Sequence, residues 1–133
     1  MPAVVVDTHT ILWYLTGDSR LSRTAMESMD AATVSGDPIF VPAICLVELT
    51  YLTEKGRLPA QARQLLTQAL DDPEKPARLV PMDRSVVDAV GQVSRDEVPD
   101  MPDRIIAATA VALGLPVISR DSRIRSSRVD TIW

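Results

Sequence analysis

The sequence predicts an α/β sandwich around a mostly parallel sheet. Short apolar runs alternate with helical segments along the whole chain, and the runs lack polar alternation, as strands buried on both faces require. Its 133 residues suit one domain with a sizeable core, and no linker, internal repeat or low-complexity segment divides them.

Residues 3–6 read as a buried strand that ends abruptly on Asp7. A short helix over 8–15 follows, stopped by Gly17, and a longer one over 22–34 starts at Ser22 as N-cap and ends before Gly36. "PIFVPA" (38–43) reads as a second strand, and "ICLVELTYLTEKG" (44–56) as a helix closed by Gly56. Residues 60–71 form a helix opened by Pro59, and "ARLVPM" (77–82) a third strand. Helices over 84–95 and 102–113 come next, the second ended by Gly114-Leu115-Pro116. "PVIS" (116–119) and "VDTIW" (129–133) complete the strands.

The charge balance narrows the function. Net charge is −4, so bulk charge gives no general attraction to nucleic acid or anionic membrane. Twelve of the fourteen basic residues are arginine, and Arg120, Arg123, Arg125 and Arg128 cluster near the C-terminus. Arginine suits phosphate, yet a solvated surface explains the cluster as well. No apolar run is long enough to span a membrane, and no signal peptide is apparent. The single cysteine, Cys45, cannot form an internal disulfide, which fits a cytoplasmic setting.

Open α/β sheets gather their chemistry at the carboxyl ends of strands. Asp7 directly follows the first strand, and Asp121 follows the fourth after a two-residue gap. Each has a simpler reading, Asp7 as a helix cap and Asp121 as a turn residue. Glu48 has only apolar or aromatic neighbours on its helix face: Ile44, Cys45, Tyr51 and Leu52. It is either a buried carboxylate that needs a partner or one that reaches the edge and stays solvated. Asp103, behind Pro102, fits a helix first turn. Together the four acids occupy two strand ends, a helix start and a helix face, from which they can converge. Converging carboxylates repel unless cations or protons neutralise them, and an all-oxygen cluster suits Mg²⁺ or Mn²⁺. One histidine and one cysteine make no zinc site, and His9 reads as a packing or surface residue near the site. No Walker loop, GxGxxG or GxSxG motif is present.

The blocks "VVVDTHTILWYL", "VPAICLVELTYL", "MPDRIIAATAVALGLPVISRD" and the terminal "TIW" resemble PIN-domain proteins, above all the VapC-type toxins of bacterial toxin–antitoxin pairs. The resemblance covers essentially the whole chain. It implies a three-layer αβα sandwich, with residues 1–133 as a single PIN-like ribonuclease domain. It also implies a Mg²⁺- or Mn²⁺-dependent endoribonuclease that leaves 5′-phosphate and 3′-hydroxyl ends on RNA. Asp7, Glu48, Asp103 and Asp121 match the family's acidic quartet, as metal ligands and catalytic residues. Thr8 matches the polar residue after the first acid, Ser119 the hydroxyl that supports the site by hydrogen bonding, and Asp100 is a further supporting carboxylate. Arg104 matches a frequent family position, structural or substrate-facing. Arg104, Arg120 and Arg123 are the expected RNA phosphate contacts. The implied partners are RNA and a cognate VapB-like antitoxin, and a homodimer is the expected assembly.

Other classes fit less well. A phosphoacceptor domain also gathers aspartates and Mg²⁺, but it needs a lysine after a late strand, and the only lysines are Lys55 and Lys75. A DNA flap nuclease needs insertions for which 133 residues leave no room. A non-catalytic PIN scaffold is disfavoured by the intact quartet. With one histidine, the chain has no histidine pair for metal-free cleavage through the RNA 2′-hydroxyl.

Overall fold

The computed structural model describes residues 3–125 and 127–133. Five strands form one sheet: β1 (Val4–Val6), β2 (Ile39–Pro42), β3 (Ala77–Val80), β4 (Val117–Ile118) and β5 (Thr131–Ile132), in the order β3-β2-β1-β4-β5. All four pairings are parallel, with Val5 opposite Phe40 on one side and Val117 on the other. Seven helices connect them: α1 (Thr8–Thr16), α2 (Arg23–Ser35), α3 (Ala43–Glu54), α4 (Ala60–Asp71), α5 (Arg84–Val90), α6 (Met101–Leu113) and α7 (Ser122–Arg125).

Three consecutive residues of β1, Val4, Val5 and Val6, are at most 2 % exposed, so both sheet faces are covered by helices. The expected αβα sandwich is the observed one. α6 packs on β1, β2 and β4, while α2 packs on β1, β2 and β5. Ile11, Met29, Ile39, Leu49, Leu66, Ile106, Ile118 and Ile124 fill the core, each with almost no exposed surface. Full burial of side chains this size contributes about 1.5–3 kcal/mol apiece.

The helix ends follow local chemistry. Ser22 caps α2 by accepting from the Ala25 N–H, and Asp83 caps α5 through Val86 N–H. α6 closes on Gly114 at φ 66°, a left-handed conformation that lets Leu115 N–H reach the Ala110 carbonyl.

β3 and β5 are shorter than the strands expected over 77–82 and 129–133, and two helical elements differ more. α5 ends at Val90, not at residue 95. Beyond it the N–H groups of Gln92 and Val93 turn back to the carbonyls three residues earlier, a tighter winding than an α-helix. The Arg104 guanidinium fixes that end, donating through Nε to the Val93 carbonyl at 2.9 Å and through Nη2 to the Val90 carbonyl at 3.1 Å. α7 is an extra four-residue helix. It starts where the Asp121 carboxylate accepts from the N–H groups of Arg123 (2.9 Å) and Ile124 (3.1 Å).

Candidate active site

The chain runs from β1 outward through β2 to β3, then returns to place β4 on the other flank of β1. The strand order therefore reverses between β1 and β4, and the crevice beyond their carboxyl ends is where such sheets bind ligands. A cavity of about 470 Å³ opens there.

Asp7 enters the cavity from the end of β1. Its Oδ1 accepts from the Thr10 N–H at 3.0 Å and so caps α1. Its Oδ2 accepts from the Ser119 hydroxyl at 2.5 Å. Helix cap and cavity carboxylate are thus one residue using two oxygens. Ser119, fully buried, also accepts the Asp121 N–H at 3.0 Å. One hydroxyl ties the acid beyond β1 to the acid beyond β4.

Glu48 reaches the cavity from α3. Its neighbour is Thr8, 2 % exposed, whose hydroxyl donates to Glu48 Oε1 at 2.6 Å. The partner that burial demands is therefore this threonine. Burial still raises the Glu48 carboxyl above its ordinary range, against the Thr8 hydrogen bond, and Asp100 and Asp7 push the same way. Cys45 lies beneath, fully buried, with its thiol toward the Val6 carbonyl, and burial pushes that thiol up.

Asp100 and Asp103 come from the start of α6. Asp100 is its N-cap, accepting the Asp103 N–H at 3.1 Å. Among the described residues no donor reaches the Asp103 carboxylate. Burial, and after it the negative charges of Asp121, Asp100, Glu48 and Asp7, push its pKa up to about 7. The charges of four other carboxylates thus bear on Asp103 at once.

The expected residues Asp7, Thr8, Glu48, Asp100, Asp103, Asp121 and Arg120 all line this cavity. Ser119 stands behind Asp7 and holds it. Arg104, structural or substrate-facing by its sequence position, donates to the carbonyls closing α5 and is no part of the cavity wall. Arg123 likewise lies outside that wall. The wall also holds His9, Trp13, Arg20 and Ile106. Arg20 leaves no trace in the sequence pattern, because it comes from the turn after α1 and reaches the cavity only by packing on Trp13.

Apart from the His9 imidazole, the possible ligands facing the cavity are carboxylate and hydroxyl oxygens, the set preferred by a hard divalent cation. Among the described residues no three His, Cys, Asp or Glu side chains close round a single point. The acids line the wall without enclosing its centre. Such an arrangement can take a hydrated cation and a phosphate together, because Mg²⁺ keeps several waters and uses only one or two protein carboxylates directly.

Comparison with known proteins agrees with this geometry. Residues 4–129 match the PIN domain family. The chain is 29 % identical over 136 residues to "Ribonuclease VapC22" of Mycobacterium tuberculosis, covering 100 % of both chains. Its fold is similar to that of a chain in the crystal structure of VapBC2 from Rickettsia felis bound to a DNA fragment from their promoter. That match has a TM-score of 0.67 at 15 % identity and covers 98 % of this chain and 99 % of that one. A chain of FitAcB from Neisseria gonorrhoeae matches with a TM-score of 0.63 at 21 % identity, covering 96 % and 95 % respectively. With a family match over nearly its whole length, a sheet of the expected topology and an acidic cavity at the strand-order reversal, the chain belongs to the PIN domain family.

Proposed function

We propose that this protein is a divalent-metal-dependent endoribonuclease that serves as the toxin of a toxin–antitoxin pair. One observation carries the reading: acids from three distant chain segments, 7, 48 and 100–121, face one cavity at the carboxyl ends of β1 and β4. The similarity to a ribonuclease over the full length of both chains supports RNA as the substrate.

Asp7, Glu48, Asp103 and Asp121 would hold Mg²⁺ or Mn²⁺. When bound, such an ion supplies water activation and stabilises charge on the scissile phosphate. The protein's own part is positioning. Ser119 fixes the Asp7 Oδ2 lone pairs, Thr8 fixes Glu48, and backbone N–H groups fix Asp121. Asp103, its pKa pushed up to about 7 by burial and the neighbouring acids, would have to be deprotonated to hold the ion. Hydrolysis by water leaves a 5′-phosphate and a 3′-hydroxyl.

The likeness to a Klebsiella pneumoniae toxin–antitoxin complex, 18 % identical with a TM-score of 0.65, supports a small antitoxin as partner. A basic side chain of that partner entering the acidic cavity would compete with the cation. We assign the cytoplasm as the setting and a homodimer as the assembly.

Purified protein with Mn²⁺ should cut single-stranded RNA, and Asp7→Ala and Asp103→Ala should each lower the rate by at least about a thousandfold. The double variant should be no worse than either alone, since both residues serve the same ions. Near-normal cleavage by both single variants would remove the assignment. Where a small gene lies immediately upstream, co-expression with its product should yield a stable complex with weakened cleavage, and the absence of any small partner would remove the toxin reading.

A further inference from the structure

The wall facing the acids is basic and aromatic, and one of its cations has no carboxylate. Trp13 is 7 % exposed and forms a pedestal, with the Arg20 guanidinium 5.1 Å and the Arg120 guanidinium 4.9 Å from its ring centroid. Trp133 braces the indole edge-on at 6.0 Å. Arg20 is engaged: its Nε and Nη2 donate to the two Asp18 oxygens at 3.0 and 2.7 Å. Arg120 is exposed and stands in sequence between Ser119, which holds Asp7, and Asp121. Among the described residues it forms no ion pair, although Asp7, Asp103 and Asp121 line the same cavity. Its guanidinium lies over the indole instead.

We propose that Arg120 binds a phosphate of the RNA next to the one being cut, and that Trp13 is the positioning residue that presents it. The proposal rests on the ribonuclease reading for the identity of the polyanion. Two arguments favour phosphate over a nucleobase. The indole is 7 % exposed with two guanidinium groups over it, which leaves too little open surface for a base to stack on. A guanidinium held over an aromatic ring, with no carboxylate on it among the described residues, keeps N–H donors for phosphate oxygens. Stacking also fixes the long side chain beforehand, so less rotamer freedom is lost on binding. In a chain of net charge −4, this one cation on the cavity rim supplies the attraction that bulk charge does not.

The test measures binding of a labelled single-stranded RNA oligonucleotide in Mg²⁺ across salt concentrations, alongside cleavage kinetics. Arg120→Ala should weaken binding about tenfold at low salt and reduce the salt slope of log affinity by about 0.7, one phosphate's share on a single strand. KM should rise by a similar factor while kcat changes by less than about threefold. Arg120→Lys should keep the slope but recover only part of the affinity, because a lysine does not stack as a planar fork. Trp13→Leu should raise KM as Arg120→Ala does, and the double variant should add little. Arg84→Ala, which removes the same charge on α5, should alter neither slope nor KM. Unchanged affinity and slope in Arg120→Ala, whose exposed site tolerates the change, overturns the proposal even if Trp13→Leu proves unfolded. Wild-type protein that binds RNA without cutting it overturns the ribonuclease reading and leaves this one standing. Wild-type protein that binds no RNA overturns both.

Discussion

Asp7 and Asp103 face one cavity in different company. Asp7, at a strand end, receives two donors, the Thr10 N–H and the Ser119 hydroxyl. Asp103, in the first turn of α6, receives none among the described residues and is surrounded by Asp121, Asp100, Glu48 and Asp7. One carboxylate is built into the fold by its hydrogen bonds, and the other is a charge the fold carries at a cost. Removing the first should cost stability and removing the second should add it, although both changes should end catalysis.

The loss of cleavage is the largest effect and should be common to Asp7→Asn and Asp103→Asn. The contrast lies in metal-free thermal melting near neutral pH. Asp7→Ala deletes an N-cap worth about 1 kcal/mol and should lower the melting temperature by about 3–5 °C. Asp103→Asn deletes a repelled charge with little change of shape and should raise it by a similar amount. Mn²⁺ should stabilise wild type by mass action and Asp103→Asn less. Equal melting of wild type and Asp103→Asn in chelator, with equal gain from Mn²⁺, would show that the acids do not share a cation.

The pH dependence sharpens the same contrast. The Asp103 pKa rises from 3.8 to about 7 on folding. Between those values the folded state binds more protons than the unfolded one, so this group's stabilising contribution is complete below the window and is lost as pH rises through it. In chelator, the melting-temperature advantage of Asp103→Asn over wild type should therefore be small at the acid end and grow toward neutrality. A gap independent of pH would locate the effect elsewhere than in ionisation.

The two hydroxyl variants, Ser119→Ala and Thr8→Val, give the mildest outcomes. Ser119→Ala releases Asp7 Oδ2 and the Asp121 N–H together while leaving every cavity carboxylate in the chain. Cleavage should fall about tenfold, and more Mn²⁺ should be needed for half-maximal rate. Thr8→Val should do the same to Glu48 with a smaller loss of rate. No change in the Mn²⁺ requirement of either variant would mean that these hydroxyls serve packing alone.

The strands were legible because burial on both faces leaves uninterrupted apolar runs such as Val4-Val5-Val6. The acids at the cavity were legible because residues just beyond β1 and β4, or at the start of α6, must sit on the rim whatever the side-chain detail. What each residue meets there was not legible. Arg104 has the position of a substrate contact, yet its fork finds two carbonyls at the end of α5. The sequence contains no sign of that meeting, because the frayed end exists only once α5 and α6 pack. α7 was invisible for a related reason: four residues show no period, and the Asp121 cap that starts the helix is the same acid that reads as a turn residue. Trp13 reads as core from its sequence, and its second role depends on two arginines that the folded chain brings to it.

The order of the strands also has a consequence for synthesis. The hydrogen bond that joins the two halves of the rim, Ser119 to Asp7, spans 112 residues. β1 is made before the other strands, but its second neighbour, β4, is made after β2 and β3. Contacts of such long sequence separation form late and slowly. A ribosome-bound chain can build β1, β2 and β3 with their helices and still present an open edge where β4 belongs. Throughout that interval the acids from the start and end of the chain are apart. The acidic cavity encoded in this topology is thus assembled only once β4 has joined the sheet, long after the segment that carries Asp7 has been made.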